Sequence, residues 1–236
     1  VNVDAAGDAN VDIEGIYGAF DLNVTAGDDA FVDLNGVGAT AVTVTVGSEV
    51  TYVDPLNPVL LNSYDQAVIN IEDAADLETI TVTGAGVDLE LDGDLGSLTT
   101  VDLSAVTAVV ILDASGADFG ATVTYSIGAT SNTDAGVFDV TVFAEVAGAT
   151  REVFDFVGDD IGQVQVWNFE ASAQADRDAL DLSGFGINAS SNLTFTAAGN
   201  DLTITAADGQ FDGSIQLIGV LAGGYTVNDF ATNNIL

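Results

Sequence analysis

Apolar and polar residues alternate with a period of two along most of the chain. Val11-Asp12-Ile13, Val42-Thr43-Val44-Thr45-Val46, Ile80-Thr81-Val82 and Leu202-Thr203-Ile204 each put apolar side chains on one face and polar ones on the other. Gly, Asp and Asn bound these runs, as turn formers do. Helical spacing is nearly absent, and only residues 171–179 offer a turn of helix. The two prolines, Pro55 and Pro58, predict a loop. The pattern predicts an all-β protein of short strands.

The strands repeat. Leu77-Glu78-Thr79-Ile80-Thr81-Val82-Thr83 aligns with Leu98-Thr99-Thr100-Val101-Asp102-Leu103-Ser104, 21 residues on. Leu89-Glu90-Leu91-Asp92 aligns with Val110-Ile111-Leu112-Asp113 at the same shift, and Val11-Asp12-Ile13 with Val32-Asp33-Leu34. Two strands per period predict a parallel β-solenoid or β-roll-like stack over residues 1–148, with coils about 4.8 Å apart. An antiparallel sandwich is the alternative. Register is lost between Thr51 and Ala67. Residues 149–236 carry longer, aromatic-rich strands and predict a second, C-terminal β-rich domain, with Trp167 in its core. The Thr-x-Thr runs, such as Thr43-Val44-Thr45 and Thr79-Ile80-Thr81, are read as strand propensity without constant register.

Composition narrows the chemistry. The 236 residues hold 37 acids against 2 basic residues, a net charge of -35, while 48% are hydrophobic. The apolar content argues against a disordered acidic tail. So few cations exclude the electrostatic footprint of a nucleic-acid binder. No run of about 20 apolar residues predicts membrane insertion. With no His, Cys or Lys, thiolate, imidazole and Schiff-base chemistry are excluded. Carboxylates alone remain, and the expectation is a protein that is not an enzyme.

Most of the acids are Asp, and they recur at Gly-Asp turns: Gly7-Asp8, Gly27-Asp28-Asp29, Gly93-Asp94 and Gly158-Asp159-Asp160. Asp is a short, hard oxygen ligand, and Ca²⁺ takes about 6–8 oxygens. Stacked coils would also bring Asp12 beside Asp33 and Asp92 beside Asp113. A divalent cation between such pairs turns repulsion into attraction. The candidate Ca²⁺ ligands are therefore Asp8, Asp12, Asp28, Asp29, Asp33, Asp92, Asp94, Asp113, Asp159 and Asp160. Adaptation to high salt explains the same charge and stays open.

The C-terminal segment carries a further signal. Phe156-Val157-Gly158-Asp159-Asp160, Val166-Trp167-Asn168-Phe169-Glu170, Asp178-Ala179-Leu180-Asp181-Leu182-Ser183-Gly184-Phe185-Gly186, Gly199-Asn200-Asp201-Leu202 and Val227-Asn228-Asp229-Phe230 follow in order. From about Val153 onward this resembles the C-terminal domain of RTX-type proteins exported by bacterial type I secretion. The earlier part, with Leu98-Thr99-Thr100-Val101-Asp102-Leu103-Ser104-Ala105, is similar to the solenoid of surface-layer proteins secreted that way. The chain departs from the family in lacking a perfect glycine-rich nonapeptide and in having Asn168 before Phe169.

The resemblance implies an uncleaved C-terminal export signal, Ca²⁺-driven folding outside the cell, and Asp178 and Asp181 as further metal ligands. It implies an extracellular location, on a bacterial cell surface or in a secreted matrix. The expected partners are other copies of the chain, in a lattice or filament, and a cell-surface polysaccharide. The alternative is the Ca²⁺-binding stalk of a secreted adhesin. A carboxylate-dependent hydrolase ranks last.

Overall fold

A computed structural model of the chain describes residues 1–48, 50–51, 63–128, 140–146, 150–158, 160–172, 177–187, 190–207 and 209–236. The chain lays its strands down in pairs. β1 (Asn2–Ala5) is followed by β2 (Ala9–Glu14), and β3 (Phe20–Ala26) by β4 (Ala30–Asn35). Between β5 (Ala39–Thr45) and its follower stand β6 (Val50–Thr51) and β7 (Ser63–Tyr64), a small antiparallel pair. β8 (Gln66–Glu72) completes the third pair. β9 (Thr79–Asp94) and β10 (Thr100–Asp118) are each long enough to act as both members. β11 (Val123–Ile127) with β12 (Val140–Phe143), and β13 (Glu152–Phe156) with β14 (Asp160–Trp167), continue the order. β15 (Ala179–Asp181), β16 (Leu193–Ala198), β17 (Asp201–Ala206), β18 (Asp212–Leu217) and the helix α1 (Val227–Asn233) follow.

First members pair with first members, all parallel: β1-β3-β5-β9-β10-β11-β13-β15. Second members form another parallel ladder, β2-β4-β8-β9-β10-β12-β14-β18. Asn2 lies opposite Asn23 and Ala9 opposite Ala30, each 21 residues on. Ala30 lies opposite Ala67, 37 residues on, because the β6–β7 excursion is inserted there. Pro55 and Pro58 fall outside the described residues. Strand accounts for 59% of the structure, with one α-helix among the described residues, so the chain is all-β. No described helix is long and apolar enough to cross a membrane.

Alternation explains which face is buried. In the first ladder Leu22, Val24, Val42, Val44, Ile80, Val82, Val101 and Leu103 turn inward, each at most 1% exposed. In the second, Leu34, Ile69, Ile71, Leu89, Leu91, Val110 and Leu112 do the same. Burying each such side chain contributes about 1.5–3 kcal/mol, so the repeated inward columns hold the ladders together. Backbones also meet closely at the corners. A Cβ on Gly27 would lie 2.2 Å from the Ala6 carbonyl oxygen, and one on Gly128 would lie 2.2 Å from the Ser104 carbonyl oxygen.

Several expectations need correction. The 21-residue shift holds where β9 and β10 begin, with Thr79 opposite Thr100, but irregularities widen it. Leu89 therefore lies opposite Leu112, Glu90 opposite Asp113, and Asp92 opposite Gly116. The slip is two residues at Leu89 and Glu90, which keeps those side chains on their faces, and three at Asp92. The Thr runs are in register in part: Thr43 lies opposite Thr81 and Thr45 opposite Thr83. Ala179, placed in a helical turn by its spacing, opens strand β15; residues 173–176 lie outside the described set. β11–β13 and β12–β14 pair across the expected boundary near Gly148, itself outside the described residues.

Antiparallel pairing appears after β15. β17 runs antiparallel to β18, and β16 to β17. α1 begins with a reciprocal cap between Thr226 and Asp229 and buries Phe230 completely. The Phe230 ring lies 5.7 Å from Phe169 and 6.2 Å from Phe195. The Ala179-Leu180-Asp181-Leu182 stretch buries Leu180 and Leu182, then turns through Ser183–Phe185 to the left-handed Gly186.

Candidate functional site

The expected ligands fall into three settings. The first is the corners. Asp8 and Asp28 are exposed there, and Asp29 is half-buried. Asp29 Oδ1 accepts the Gln66 amide at 2.8 Å, and Asp8 Oδ1 lies 3.5 Å from the Asp29 amide. Asp73, reached from the next corner, accepts the Asp94 amide at 3.0 Å, while Asp94 Oδ1 takes the Gly96 amide at 3.1 Å. Corner acids thus tie one turn of chain to the next through backbone N–H groups, a role the sequence reading missed. Asx-type bonding of this sort is what short acidic side chains do beside Gly.

The second setting is the outer face of the second ladder. Asp12 stands opposite Asp33, Asp33 opposite Asn70, Asn70 opposite Glu90, and Glu90 opposite Asp113. The next row out runs Glu14, Asn35, Glu72, Asp92. A notch of about 270 Å³ opens between Asp33, Asn70, Glu72, Glu90 and Asp92. The Asp12–Asp33 pair stands as the repeat predicts; the partner of Asp113 is Glu90 rather than Asp92. Partial burial, and then the Asp113 charge, push the Asp88 carboxyl above its ordinary range. Asn35 donates to Glu72, relieving one of the acids in the outer row.

The third setting is the interior near β13. Asp178 is 2% exposed, and its two oxygens accept the Glu152 amide at 3.0 Å and the Glu170 amide at 2.7 Å. Glu152, at 1%, points inward in line with Phe154 and Phe156 and accepts the Tyr125 hydroxyl at 2.8 Å and the Glu145 amide at 3.0 Å. Burial, then the neighbouring Asp178, pushes Glu152 up to about 8; burial pushes Asp178 up to about 7. Glu152 was not foreseen, although its phase in Glu152-Val153-Phe154-Asp155-Phe156 matches the inward aromatics. Asp181 lies on the outside opposite Asp155, whose carboxyl is raised by burial and then by Asp181. Asp160 opens β14 opposite Asp212, and Asp159 lies outside the described residues.

Trp167 is not core. It is 37% exposed on the outer face, with its ring 6.1 Å from Phe143. Inward positions in β14 go to Val164 and Val166, so period two sends Trp167 outward.

Among the described residues, no three carboxylates converge on one point as a closed metal site requires. The outer faces supply pairs: Asp12 with Asp33 and Glu90 with Asp113 on the second ladder, Asp155 with Asp181 on the first. Such pairs suit a hard cation that they bridge, with the remaining oxygens drawn from water or another chain. Compared with known proteins, the chain matches no family model, no curated protein and no solved structure.

Proposed function

We propose that the chain is a structural, self-assembling extracellular protein, a surface-layer or matrix-filament subunit exported by type I secretion. On this reading the two parallel ladders are the faces of one β-solenoid, and Ca²⁺ bridges the acids on its outside. The observation that carries it is the outer column Asp12–Asp33–Asn70–Glu90–Asp113, in which four of five side chains are acidic. Coils of one chain cannot neutralise that column, because the protein has 2 basic residues. Dense like charge holds chains apart until a divalent cation arrives. β1 and β2 each pair on one side only among the described residues, leaving strand edges suited to backbone pairing. A cell-surface polysaccharide is the second proposed partner.

One observation favours the alternative, a Ca²⁺-binding stalk of a secreted adhesin. The antiparallel strands β16 and β17 and the helix α1 follow the last parallel strands, so stacking does not simply continue there. Electron microscopy of the purified chain separates the two. With Ca²⁺ present, arrays or filaments that disperse on chelation support the first reading. Isolated rods support the second, and arrays untouched by chelation contradict the Ca²⁺ role.

A further inference from the structure

The outer face of the second ladder changes character along its length. Over the earlier strands the rows through Asp33 and through Glu72 are acidic, while the row that leads to Asp88 reads Asn10, Phe31, Val68. From β10 onward the row opposite Asp88 reads Ile111, Thr141, Gln165, Gln216, Thr203, Thr196, each side chain directly across from the next. None of these is charged, in a protein carrying 37 acids. The adjoining row passes from Asp113 to Phe143 and Trp167.

The uncharged patch is also ordered. Trp167 Nε1 donates to Gln165 Oε1 at 3.0 Å, and Gln165 Nε2 donates to Gln216 Oε1 at 3.2 Å. Ser214 donates to Gln163 at 3.0 Å on the same two strands. The indole is therefore held from its N–H and stacked at 20° on Phe143. Beside it a groove of about 670 Å³ runs past Ile218 and Gly219, rimmed by Glu145 and Glu170. A Cβ on Gly219 would meet nothing within 4 Å, so the groove is open on that side.

We infer that this patch, with Trp167 as platform and the Gln165–Gln216 amides as hydrogen-bonding rail, binds a neutral polysaccharide. A pyranose ring offers an apolar C–H face for an aromatic ring and hydroxyls that both donate and accept, matching a fixed indole beside primary amides. The rim acids accept hydrogen bonds from sugar hydroxyls and repel uronate or sulfated chains. A second copy is the poorer occupant: from Thr141 onward the row is amide and hydroxyl rather than apolar, and its acidic neighbours would meet their like. The inference deepens the polysaccharide partner proposed above and is independent of self-assembly.

Trp167 is the sole tryptophan, so its emission reports on this patch alone. The full chain, in low salt with chelator to keep it dispersed, is titrated with neutral gluco-, manno- and galacto-hexasaccharides and with hexagalacturonate. A saturable emission change with at least one neutral sugar and none with the uronate is expected. In affinity electrophoresis through the same polysaccharide, Trp167→Ala should weaken retardation about 10-fold and Gln165→Ala about 5-fold, while Trp167→Phe keeps most of it. Circular dichroism shows that each variant remains folded. No response to any neutral sugar, equal response to the uronate, or full retention by Trp167→Ala overturns the proposal. So does an emission change driven by protein concentration alone, which would make the patch a contact between copies. Loss of Ca²⁺-dependent arrays in a separate assay bears on the assembly reading and leaves this one standing.

Discussion

The Tyr125 hydroxyl donates to Glu152 Oε1 at 2.8 Å inside a core built mainly of aliphatic and aromatic side chains. Glu152 follows the strand's inward phase, so it replaces an apolar residue in the column that β11 and β13 share. Burial and Asp178 raise its pKa from 4.5 to about 8, and burial and Glu152 also hold the Tyr125 hydroxyl protonated well beyond its ordinary range.

A raised carboxyl pKa fixes the sign of the pH dependence. The folded state holds its proton more tightly than the unfolded chain, so this group's stabilising contribution is complete below about 4.5 and is lost as pH rises through about 8. Comparison with a variant isolates the contribution of Glu152. Glu152→Gln should match the parent in urea unfolding at pH 4 and exceed it by a few kcal/mol at pH 9. Equal stability at both pH values would contradict the burial argument.

Removing the donor is the complementary change. Tyr125→Phe leaves the buried carboxyl with the Glu145 amide alone and should cost about 1–3 kcal/mol, measured by the same unfolding at neutral pH. The loss should shrink in the Glu152→Gln background if the two groups act through their shared hydrogen bond.

The inward columns make a packing prediction. Leu89 is fully buried between Ile69 and Leu112. Leu89→Ala should lower stability by about 2–5 kcal/mol, whereas Glu90→Gln, one residue away on the outer face, should not destabilise. Thermal unfolding of both variants checks the facing of β9. Reversed effects would put that strand in the wrong phase.

The corner at Gly27 is a steric matter. Its missing Cβ would fall 2.2 Å from the Ala6 carbonyl oxygen, so Gly27→Ala must displace the neighbouring corner. The expected cost is about 1–3 kcal/mol in chemical denaturation, against little change for Gly18→Ala, since Gly18 has nothing within 4 Å of such an atom.

Strand content, the two-strand repeat and the Asp12–Asp33 pairing were legible because period two and the 21-residue shift survive in the first strand pairs. The Asp92–Asp113 pairing was not, because irregularities between Asp102 and Ala105, Val106 and Val109, and Asp113 and Gly116 each move β10 one residue along β9. Glu152 escaped notice because an acid in an acidic chain reads as solvated until its phase is compared with Phe154 and Phe156. Trp167 was misplaced for the opposite reason: a large aromatic residue reads as core, while its alternation with Val164 and Val166 sends it outward. The amide row around Gln165 depends on partners 51 residues away, such as Gln216, a spacing no local pattern carries.

The outer acids should repel one another when no divalent cation is present. Asp33→Asn should raise stability in low salt by about 0.2–1 kcal/mol, and the gain should fade as added NaCl shortens the screening length. Urea midpoints at two ionic strengths measure it.

Long-wavelength anomalous diffraction from crystals grown with Ca²⁺ gives the most direct view of the cation bridges. The account predicts calcium peaks between Asp12 and Asp33 and between Glu90 and Asp113, with oxygens of water or a neighbouring chain completing each shell. Well-ordered acids with no peak between them, in chains that touch only through apolar surfaces, would contradict it.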